Sequence, residues 1–294
     1  MSKAESPAIR FHEDSDQFQE SVRFTAAETA FATRLIEKDY FCTVLLAYLA
    51  VEAGNDLIFK GGTCLAKVHT ELYRLSEDLD FAISMPVEAP RSERSKRAEG
   101  VKEALAALPK RLPSFRVVES LKGANNSTQY VAVVAYTSLL SREEETIKIE
   151  VSLREPLLMP AVKGSARTLL LNPVTGDPLV PPVSVPCISK TEALAEKFRA
   201  AMSRREAAVR DFYDIDHAVR KGGLQPDAVN LVKQVKRKLA VPGNEPVDVS
   251  AERLAALRRQ IDPELRPVLR EQEFAEFDLE RVFKTVVEMA KAVR

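Results

Sequence analysis

Residues 57–84, LIFKGGTCLAKVHTELYRLSEDLDFAIS, join a paired-glycine turn to an Asp-x-Asp sequence. The apolar run 57–59 predicts a short strand, and Gly61-Gly62 predicts a tight turn, because glycine adopts positive φ and lets a ligand approach the backbone. Apolar residues then recur at helical spacing, so Thr63 is the expected N-cap of a helix whose first N–H groups attract anions. The pattern predicts a phosphate-binding turn. The sequence G-x-x-x-x-G-K-[ST] does not occur, which excludes a P-loop.

The second half of this stretch carries two aspartates on a predicted strand. Large apolar residues occupy every second position of residues 78–83, so Asp78 and Asp80 share the other face. Their Cα atoms would lie about 7 Å apart, from a rise of about 3.3 Å per residue. Carboxylates spaced in this way suit Mg²⁺, which prefers hard oxygen ligands and retains substrate phosphates. Either motif alone is common on solvated surfaces, but their order and closeness predict a site for a triphosphate and its metal ion.

The composition is that of a soluble globular protein. Of the 294 residues, 45% are hydrophobic and 29% are charged. Lys and Arg total 43, as do Asp and Glu, so any surface for RNA must be local. No apolar run reaches the length of a membrane span, and residues 1–16 lack the apolar core of a signal peptide, which predicts a cytoplasmic protein. The cysteines are odd in number and lack zinc spacing, so they are expected to be reduced thiols packed as small hydrophobes: Cys42, Cys64 and Cys187.

The periodicity of the remaining chain changes from one segment to the next. Residues 25–53 have helical spacing, and three later segments are rich in the β-branched and aromatic residues typical of strands: 115–120, 129–138 and 145–153. Residues 172–186 hold five prolines and predict a linker or an edge segment. From Ser189 onward the pattern is helical. We therefore predict an α/β (α+β) fold in which a mixed sheet precedes a C-terminal helical domain.

Several of these motifs resemble the AbiEii family of nucleotidyltransferase toxins, which includes MenT-type toxins of type IV or related toxin–antitoxin systems. The resemblance rests first on KGGTCLAKVH at 60–69 and RLSEDLDF at 74–81. Further segments fit the family pattern: IEKDYF at 36–41, IKIEV at 147–151, EK at 196–197 and RDFYDI at 210–215. The matches span about residues 36–216 in pieces, and the last eighty residues carry no matching motif.

The resemblance implies a polymerase-β-like nucleotidyltransferase fold. The expected domains are a nucleotidyltransferase core with N-terminal helices at 1–172, a Pro-rich linker at 173–186, and a helical domain at 187–294 that closes the active-site cleft. The expected nucleotide-binding residues are Lys60, Gly61, Gly62, Thr63, Lys197 and Asp211. The expected metal ligands are Asp78, Asp80 and Glu150, and the expected catalytic residues are these three with Lys197 and Asp214.

Two of these assignments have a plain structural alternative. Glu150 shares a strand face with Lys148, which by itself indicates only a solvent-facing strand. The resemblance makes Glu150 a metal ligand or general base. Asp211 and Asp214 are neighbours on one helical face and can simply hold two helices together. The resemblance instead makes them positioning residues for Lys197, the base or the ribose, with Lys197 binding the triphosphate.

The resemblance also implies a substrate, a cofactor and partners. The expected activity is Mg²⁺-dependent transfer of NMP from an NTP to the 3′ end of tRNA, with Mn²⁺ as the alternative ion, which blocks aminoacylation and translation. A cognate antitoxin is the expected protein partner. Two other readings stay open: transfer to a small molecule or a protein side chain, and a non-catalytic nucleotide-binding module.

Basic side chains are the further candidates for phosphate and RNA contacts. Lys60, just before the glycine turn, Arg74, just before the acidic strand, and Lys67 are lesser candidates for binding phosphates, although Arg74 can equally pair with Asp78. Three basic clusters are candidate RNA contacts, although each alone is also typical of a solvated helix face: Arg91, Arg94, Lys96, Arg97 and Lys102; Arg199, Arg204, Arg205 and Arg210; Lys233, Lys236, Arg237 and Lys238.

Overall fold

The fold was analysed in a computed structural model that describes residues 9–294, so residues 1–8 of the predicted core domain lie outside the described residues. Contacts divide the chain into two compact units. The first contains the residues up to Leu157 together with Ala161–Ile188, and the second contains Leu158–Pro160 together with Ser189–Arg294. Within residues 9–294, none of the helices is both long enough and apolar enough to cross a membrane.

The first unit combines helices with a mixed sheet. Its helices are α1 (Ser15–Thr29), α2 (Thr33–Glu52), α3 (Gly61–Cys64), α4 (Arg91–Arg97) and α5 (Glu99–Arg111), with a 3-10 turn at Phe11–Glu13 and a π-helical turn at Leu65–His69. Its strands are β1 (Ile58–Lys60), β2 (Leu79–Ala82), β3 (Phe115–Ala124), β4 (Gln129–Thr137), β5 (Glu144–Ser152), β6 (Val162–Ala166) and β7 (Val183–Cys187). The predicted order of strand, helix and strand over residues 57–84 is confirmed, with Gly61 and Gly62 inside the first turn of α3 instead of in a separate turn before it.

The seven strands lie in the order β3-β4-β5-β2-β1-β7-β6. Strand β2 lies parallel to β5, and β1 lies parallel to β7, whereas the other neighbours are antiparallel. The sheet is therefore mixed, as predicted. On β5, Ile147, Ile149 and Val151 are fully buried, so one face of the strand belongs to the core and the other carries Lys148 and Glu150.

The Pro-rich segment differs from the linker predicted over residues 173–186. Its last part is strand β7, which lies inside the sheet between β1 and β6. The part before it is closed by backbone hydrogen bonds from Asn172 to Asp177 and from Leu179 to Leu170. Prolines suggest a linker because they remove ladder donors, but a strand of only five residues, Val183–Cys187, tolerates Pro186.

Helix α2 carries a buried acidic group that joins distant parts of the first unit. The carboxylate of Asp39 accepts hydrogen bonds from Lys67 Nζ at 2.5 Å, Thr168 Oγ1 at 2.5 Å and Leu169 N at 3.1 Å. Lys67 is 1% exposed and Asp39 is 2% exposed. Lys67 is thus held inside the protein, and the prediction that it binds phosphates is wrong, because a buried ammonium requires the carboxylate beside it.

The two residues before Asp39 anchor other segments. Glu37 accepts from Ser138 Oγ at 2.6 Å and from Leu139 N at 2.7 Å. Lys38 Nζ lies 3.2 Å from a carboxylate oxygen of Glu77, just before the Asp-x-Asp strand. The Glu-Lys-Asp motif of α2 therefore holds residues inside the 57–84 stretch, Lys67 and Glu77, as well as the segments near Ser138 and Thr168.

The second unit consists of helices. These are α6 (Lys190–Ser203), α7 (Val209–Arg220), α8 (Val229–Leu239), α9 (Ala251–Arg258), α10 (Glu271–Glu276) and α11 (Leu279–Ala292), with short turns at Ile261–Leu265 and Arg266–Val268. The helical pattern predicted from Ser189 onward is confirmed, and Ser189 caps α6, since its hydroxyl accepts from Glu192 N. The fully buried carboxylate of Glu192 in turn accepts from Leu158 N at 2.8 Å and Met159 N at 3.0 Å, which attaches residues 158–160 to this unit.

Candidate active site

Three of the predicted site residues lie side by side on one face of the sheet. Strand β2 lies between β1 and β5, and its Asp80 is paired in register with Lys60 on β1 and with Glu150 on β5. Paired residues on neighbouring strands point to the same face, about 4.8 Å apart. We call these three residues, Lys60, Asp80 and Glu150, the acidic row, after its two carboxylates. The neighbouring residues on β1 and β2, Phe59 and Phe81, point to the opposite face of the sheet. Both are buried, and their ring centroids lie 5.6 Å apart.

The glycine turn lies directly against this row. Gly61 has a φ of +75°, and a Cβ placed on it would lie 2.1 Å from Oδ2 of Asp80. Only glycine satisfies both conditions, because an L side chain is strained at this φ and would overlap the carboxylate. The close packing of the Asp80 carboxylate against the Gly61 backbone therefore requires glycine at this position.

The helix after the turn begins earlier than predicted. Lys60 is the N-cap and α3 starts at Gly61, so the prediction that Thr63 is the N-cap is wrong. Thr63 is 1% exposed, and its hydroxyl donates to the backbone oxygen of Asp78 at 2.5 Å. A pair of glycines can enter the first turn of a helix, and the threonine then joins the helix to the start of the acidic strand.

The Gly61→Ala variant is expected to retain its fold and lose most of the transferase activity that the family resemblance implies, because its Cβ must displace the carboxylate of Asp80. Gly54→Ala is the matched control, since Gly54 has a φ of +88° and a Cβ added there would meet nothing within 4 Å. Both variants should lose about 1–2 kcal/mol of stability from backbone strain alone. Urea unfolding with activity assays separates the effects, and equal activity of the two variants would contradict the assigned role of Gly61.

Three carboxylates and the lysines near them set the electrostatics of the site, and Lys148 has the largest effect on Asp78 among these lysines. Asp78 is exposed, but partial desolvation by its neighbours still raises its pKa, and the Lys148 ammonium offsets this only in part. Lys148 Nζ lies 2.9 Å from Oε2 of Glu150. Burial lowers the pKa of Lys148, but its bond to Glu150 and the charges of both aspartates outweigh that effect, so its pKa is raised. The carboxylates of the site thus stabilise the positive charge of Lys148. Sequence reasoning gave Lys148 no role, although its position two residues before Glu150 places both on one strand face.

The donor set of this site fits a hard divalent cation. Asp78, Asp80 and Glu150 offer only carboxylate oxygens, the ligands that Mg²⁺ prefers. The Glu150 carboxylate is turned toward Lys148 and is held by its ammonium group. Bringing the oxygens together around a cation therefore requires side-chain rotation, and Lys148 supplies the positive charge in the arrangement described here.

In the second unit the structure brings Lys197, Asp211 and Asp214 together. Lys197 Nζ lies 2.7 Å from Oδ1 of Asp211 and 2.8 Å from Oδ2 of Asp214. The Lys197 side chain is 14% exposed and that of Asp214 is fully buried. The predicted contact between the two aspartates and Lys197 is present, and it joins α6 to α7. This geometry alone does not separate a structural ion pair from a lysine positioned for a ligand.

Several basic residues that were predicted to contact phosphate or RNA are buried instead. Arg74 is 2% exposed and donates to the backbone oxygen of Leu75. Arg94 is 5% exposed and donates to Val87 O at 2.6 Å. Lys238 is 1% exposed and pairs with both Glu192 and Glu196. These cations were indistinguishable from surface charges in the sequence, because burial depends on the packing of the whole chain.

Comparisons with known proteins agree with this architecture. The family model for the nucleotidyl transferase AbiEii toxin of type IV toxin–antitoxin systems matches residues 44–288. The chain is similar in structure to MenT4, a nucleotidyltransferase toxin from Mycobacterium tuberculosis H37Rv, at 20% identity and a TM-score of 0.59, covering 94% of this chain and 97% of that one. It is also similar to JHP933 from Helicobacter pylori, at 17% identity and a TM-score of 0.51, covering 90% and 93% of the two chains.

No curated protein matches the sequence significantly. The two structural likenesses, at their low identity, concern the fold alone. The family match is broader, because residues 44–288 include both the glycine turn with its acidic strand and most of the helical unit. The chain therefore belongs to the AbiEii family of nucleotidyltransferase toxins.

Proposed function

We propose that this protein is the toxin of a toxin–antitoxin pair and transfers a nucleoside monophosphate from an NTP to the 3′ end of tRNA, in a reaction that requires Mg²⁺ or, as the alternative ion, Mn²⁺. The observation that carries the proposal is the acidic row, in which Asp80 is in register with Glu150 and lies against the backbone of Gly61. A carboxylate cluster beside a glycine turn combines the two elements that bind a metal–triphosphate complex.

The reaction follows from these groups. The acceptor hydroxyl attacks the α-phosphorus, a new O–P bond forms, and the bond from the α-phosphorus to the β-phosphate oxygen breaks to release pyrophosphate. Glu150 acts as general base and takes the hydroxyl proton. Gly61, Gly62 and Thr63 form the turn that binds the phosphates, with the Lys60 ammonium beside it. Mg²⁺, when held by Asp78, Asp80 and Glu150, would supply positive charge to the triphosphate and acidify the attacking hydroxyl.

The residues of the second unit belong to the same proposal. Lys197 is proposed to bind the triphosphate and to offset charge that develops on the leaving pyrophosphate. Asp211 and Asp214 hold its ammonium group at 2.7 Å and 2.8 Å, which fixes the lysine in one orientation. We propose that Asp214 is the main positioning residue and that Asp211 supports it, with an additional contact of Asp211 to the nucleotide.

The proposed acceptor is the 3′ end of tRNA, and added nucleotides there would block aminoacylation and halt translation. The proposed setting is the cytoplasm, with a cognate antitoxin as the protein partner. Support comes from the family, whose members are toxins of toxin–antitoxin systems. Exposed cations on α4, namely Arg91, Lys96 and Arg97, offer contacts to an RNA backbone.

The acceptor can be identified with NTPs that are labelled at the α-phosphate. We expect label on bulk tRNA after incubation with protein and Mg²⁺, and no transfer of label from γ-labelled NTP, because the γ-phosphate leaves with pyrophosphate. Parallel reactions contain no added RNA, or a mixture of small hydroxyl and amine acceptors. Label found only on protein or only on a small molecule would contradict the tRNA proposal but retain the transferase, whereas NTP binding without any transfer would indicate a non-catalytic nucleotide-binding module.

A further inference from the structure

Two cysteines and a histidine come together in the first unit, away from the acidic row. One ligand atom each from Cys64, His69 and Cys187 lies within 4.8 Å of the others. We call these three residues the thiol–imidazole cluster. Cys187 is in register with Phe59, and Phe59 lies on the sheet face opposite to that of Lys60. The cluster is therefore distinct from the proposed transferase site, and none of the steps proposed above uses it.

A local departure from α-helical geometry creates the cluster. Cys64 ends α3, and His69 ends the π-helical turn that follows. In an α-helix two residues five positions apart point about 140° away from each other, at 3.6 residues per turn. The wider π turn, with its i→i+5 hydrogen bonds, brings them to the same side, and such turns are frequent at functional sites. The five-residue spacing of Cys64 and His69 is not a familiar zinc spacing, because it brings the two side chains together only when a π turn lies between them.

The histidine is held in place by a backbone contact. Nε2 of His69 lies 2.8 Å from the backbone oxygen of Ile188, the residue that follows Cys187. Ile188 N in turn donates to Phe59 O at 3.0 Å, which fixes this carbonyl to β1. With Nε2 donating to the carbonyl, the nitrogen left to bind an ion is Nδ1. Ligating histidines are commonly oriented by this kind of bond to a carbonyl.

The sulfur atoms occupy a closely fitted interior position. Cys64 and Cys187 are fully buried, whereas His69 is partly exposed and offers a route from solvent. A Cβ on Gly164 would lie 2.7 Å from Sγ of Cys187, so the glycine provides the space for that sulfur. The hydrogen bond from Cys64, together with His69, lowers the pKa of Cys187 to about 5, so this thiol is readily available as a thiolate. By contrast, burial raises the pKa of Cys42 to about 12.

We propose that Cys64, His69 and Cys187 form a binding site for one thiophilic divalent metal ion, of which Zn²⁺ is the type. Two thiolates and a neutral imidazole around a divalent ion have no net charge, which suits a buried position. Sulfur and imidazole nitrogen are the ligands that Zn²⁺ takes in tetrahedral sites, and a water molecule on the His69 side would complete the four. Because Cys64 is the last residue of the helix that begins at Gly61, the ion would also stabilise the glycine turn through this helix.

The test uses the full chain, reduced and treated with a chelator before Zn²⁺ is added in competition with a chromophoric chelator. We expect one equivalent of Zn²⁺ to bind and to raise the melting temperature. Co²⁺ in its place should produce thiolate-to-metal charge-transfer absorption. Zn²⁺ binding should also release protons, since Cys64 must lose its thiol hydrogen. These measurements on the unaltered protein do not depend on whether variants fold or on whether nucleotide is transferred.

Variants then locate the site. Cys64→Ser, His69→Asn and Cys187→Ser should each lose the stoichiometric binding, whereas Cys42→Ser, which alters the third buried cysteine of the same unit, should keep one equivalent. The proposal is overturned if the reduced wild-type chain binds no Zn²⁺, if Co²⁺ gives no charge-transfer absorption, or if Cys64→Ser and Cys187→Ser bind as the wild type does. Recovery of a Cys64–Cys187 disulfide whose reduced form binds no metal would instead identify a redox pair.

Discussion

The Asp80→Asn variant is expected to lose nucleotide transfer by at least about 10²- to 10³-fold, the loss typical when one preorganised electrostatic group is removed from an active site. Asp80 is the middle member of the acidic row, and its carboxylate lies against Gly61. The amide has nearly the same shape but no charge, so the fold should persist. Transfer rates, the melting temperature and Mg²⁺-dependent NTP binding should be measured together.

Glu144→Gln is the matched control for this change. Glu144 lies at the start of β5, the same strand as Glu150, but its side chain is 52% exposed and pairs with Arg116 on the surface. Removal of its charge should change stability by less than about 1 kcal/mol and leave transfer intact. Full activity of Asp80→Asn, or an equal loss in Glu144→Gln, would contradict the assignment of the acidic row as the reaction site.

The Lys197→Met variant has the second largest expected effect, and Lys238→Met is its matched control. Both lysines lie in the helical unit, and each pairs with two carboxylates: Lys197 with Asp211 and Asp214, Lys238 with Glu192 and Glu196. Removing either cation takes an ammonium away from buried carboxylates and should cost about 3–5 kcal/mol of stability. Only Lys197→Met should also reduce transfer, by about 10²- to 10³-fold.

The comparison separates catalysis from stability because the two variants are similarly destabilised. Urea unfolding gives the free energies, and transfer is then measured at a temperature where both chains remain folded. If activity falls to the same extent in both variants, the role of Lys197 is limited to joining α6 and α7. A selective loss in Lys197→Met, with KM for NTP raised, supports a contact with the triphosphate.

Residues 57–84 show which part of the site can be predicted from a sequence. The strand, the paired glycines and the Asp-x-Asp depend on neighbours within a few residues, and the structure contains β1, a helix that opens on the glycines, and β2; only Asp80 lies on β2, because Asp78 directly precedes it. The position of Asp80 between Lys60 and Glu150 could not be derived from local patterns. Glu150 lies seventy residues away, and its register with Asp80 depends on the pairing of β2 with β5, which is set by packing of the whole sheet.

Buried charges were harder to predict for the same reason. Lys67, Arg74 and Lys238 were expected to be exposed or to contact phosphates, but all three are buried, and the carboxylate partners of Lys67 and Lys238 lie in other segments. The Pro-rich strand β7 and the π turn before His69 are also departures that depend on tertiary contacts. Local propensity fails at these positions because packing supplies the missing free energy.

The central claim, transfer to the 3′ end of tRNA, is tested most directly by blocking that end. Bulk tRNA is divided, and one half is oxidised with periodate, which destroys the terminal 2′,3′-diol and leaves the rest of the RNA intact. Both halves are incubated with protein, Mg²⁺ and α-labelled NTPs. We predict that label enters intact tRNA, that oxidised tRNA takes up none, and that Asp80→Asn labels neither. Equal labelling of oxidised and intact tRNA, or no labelling of tRNA at all, would contradict the account.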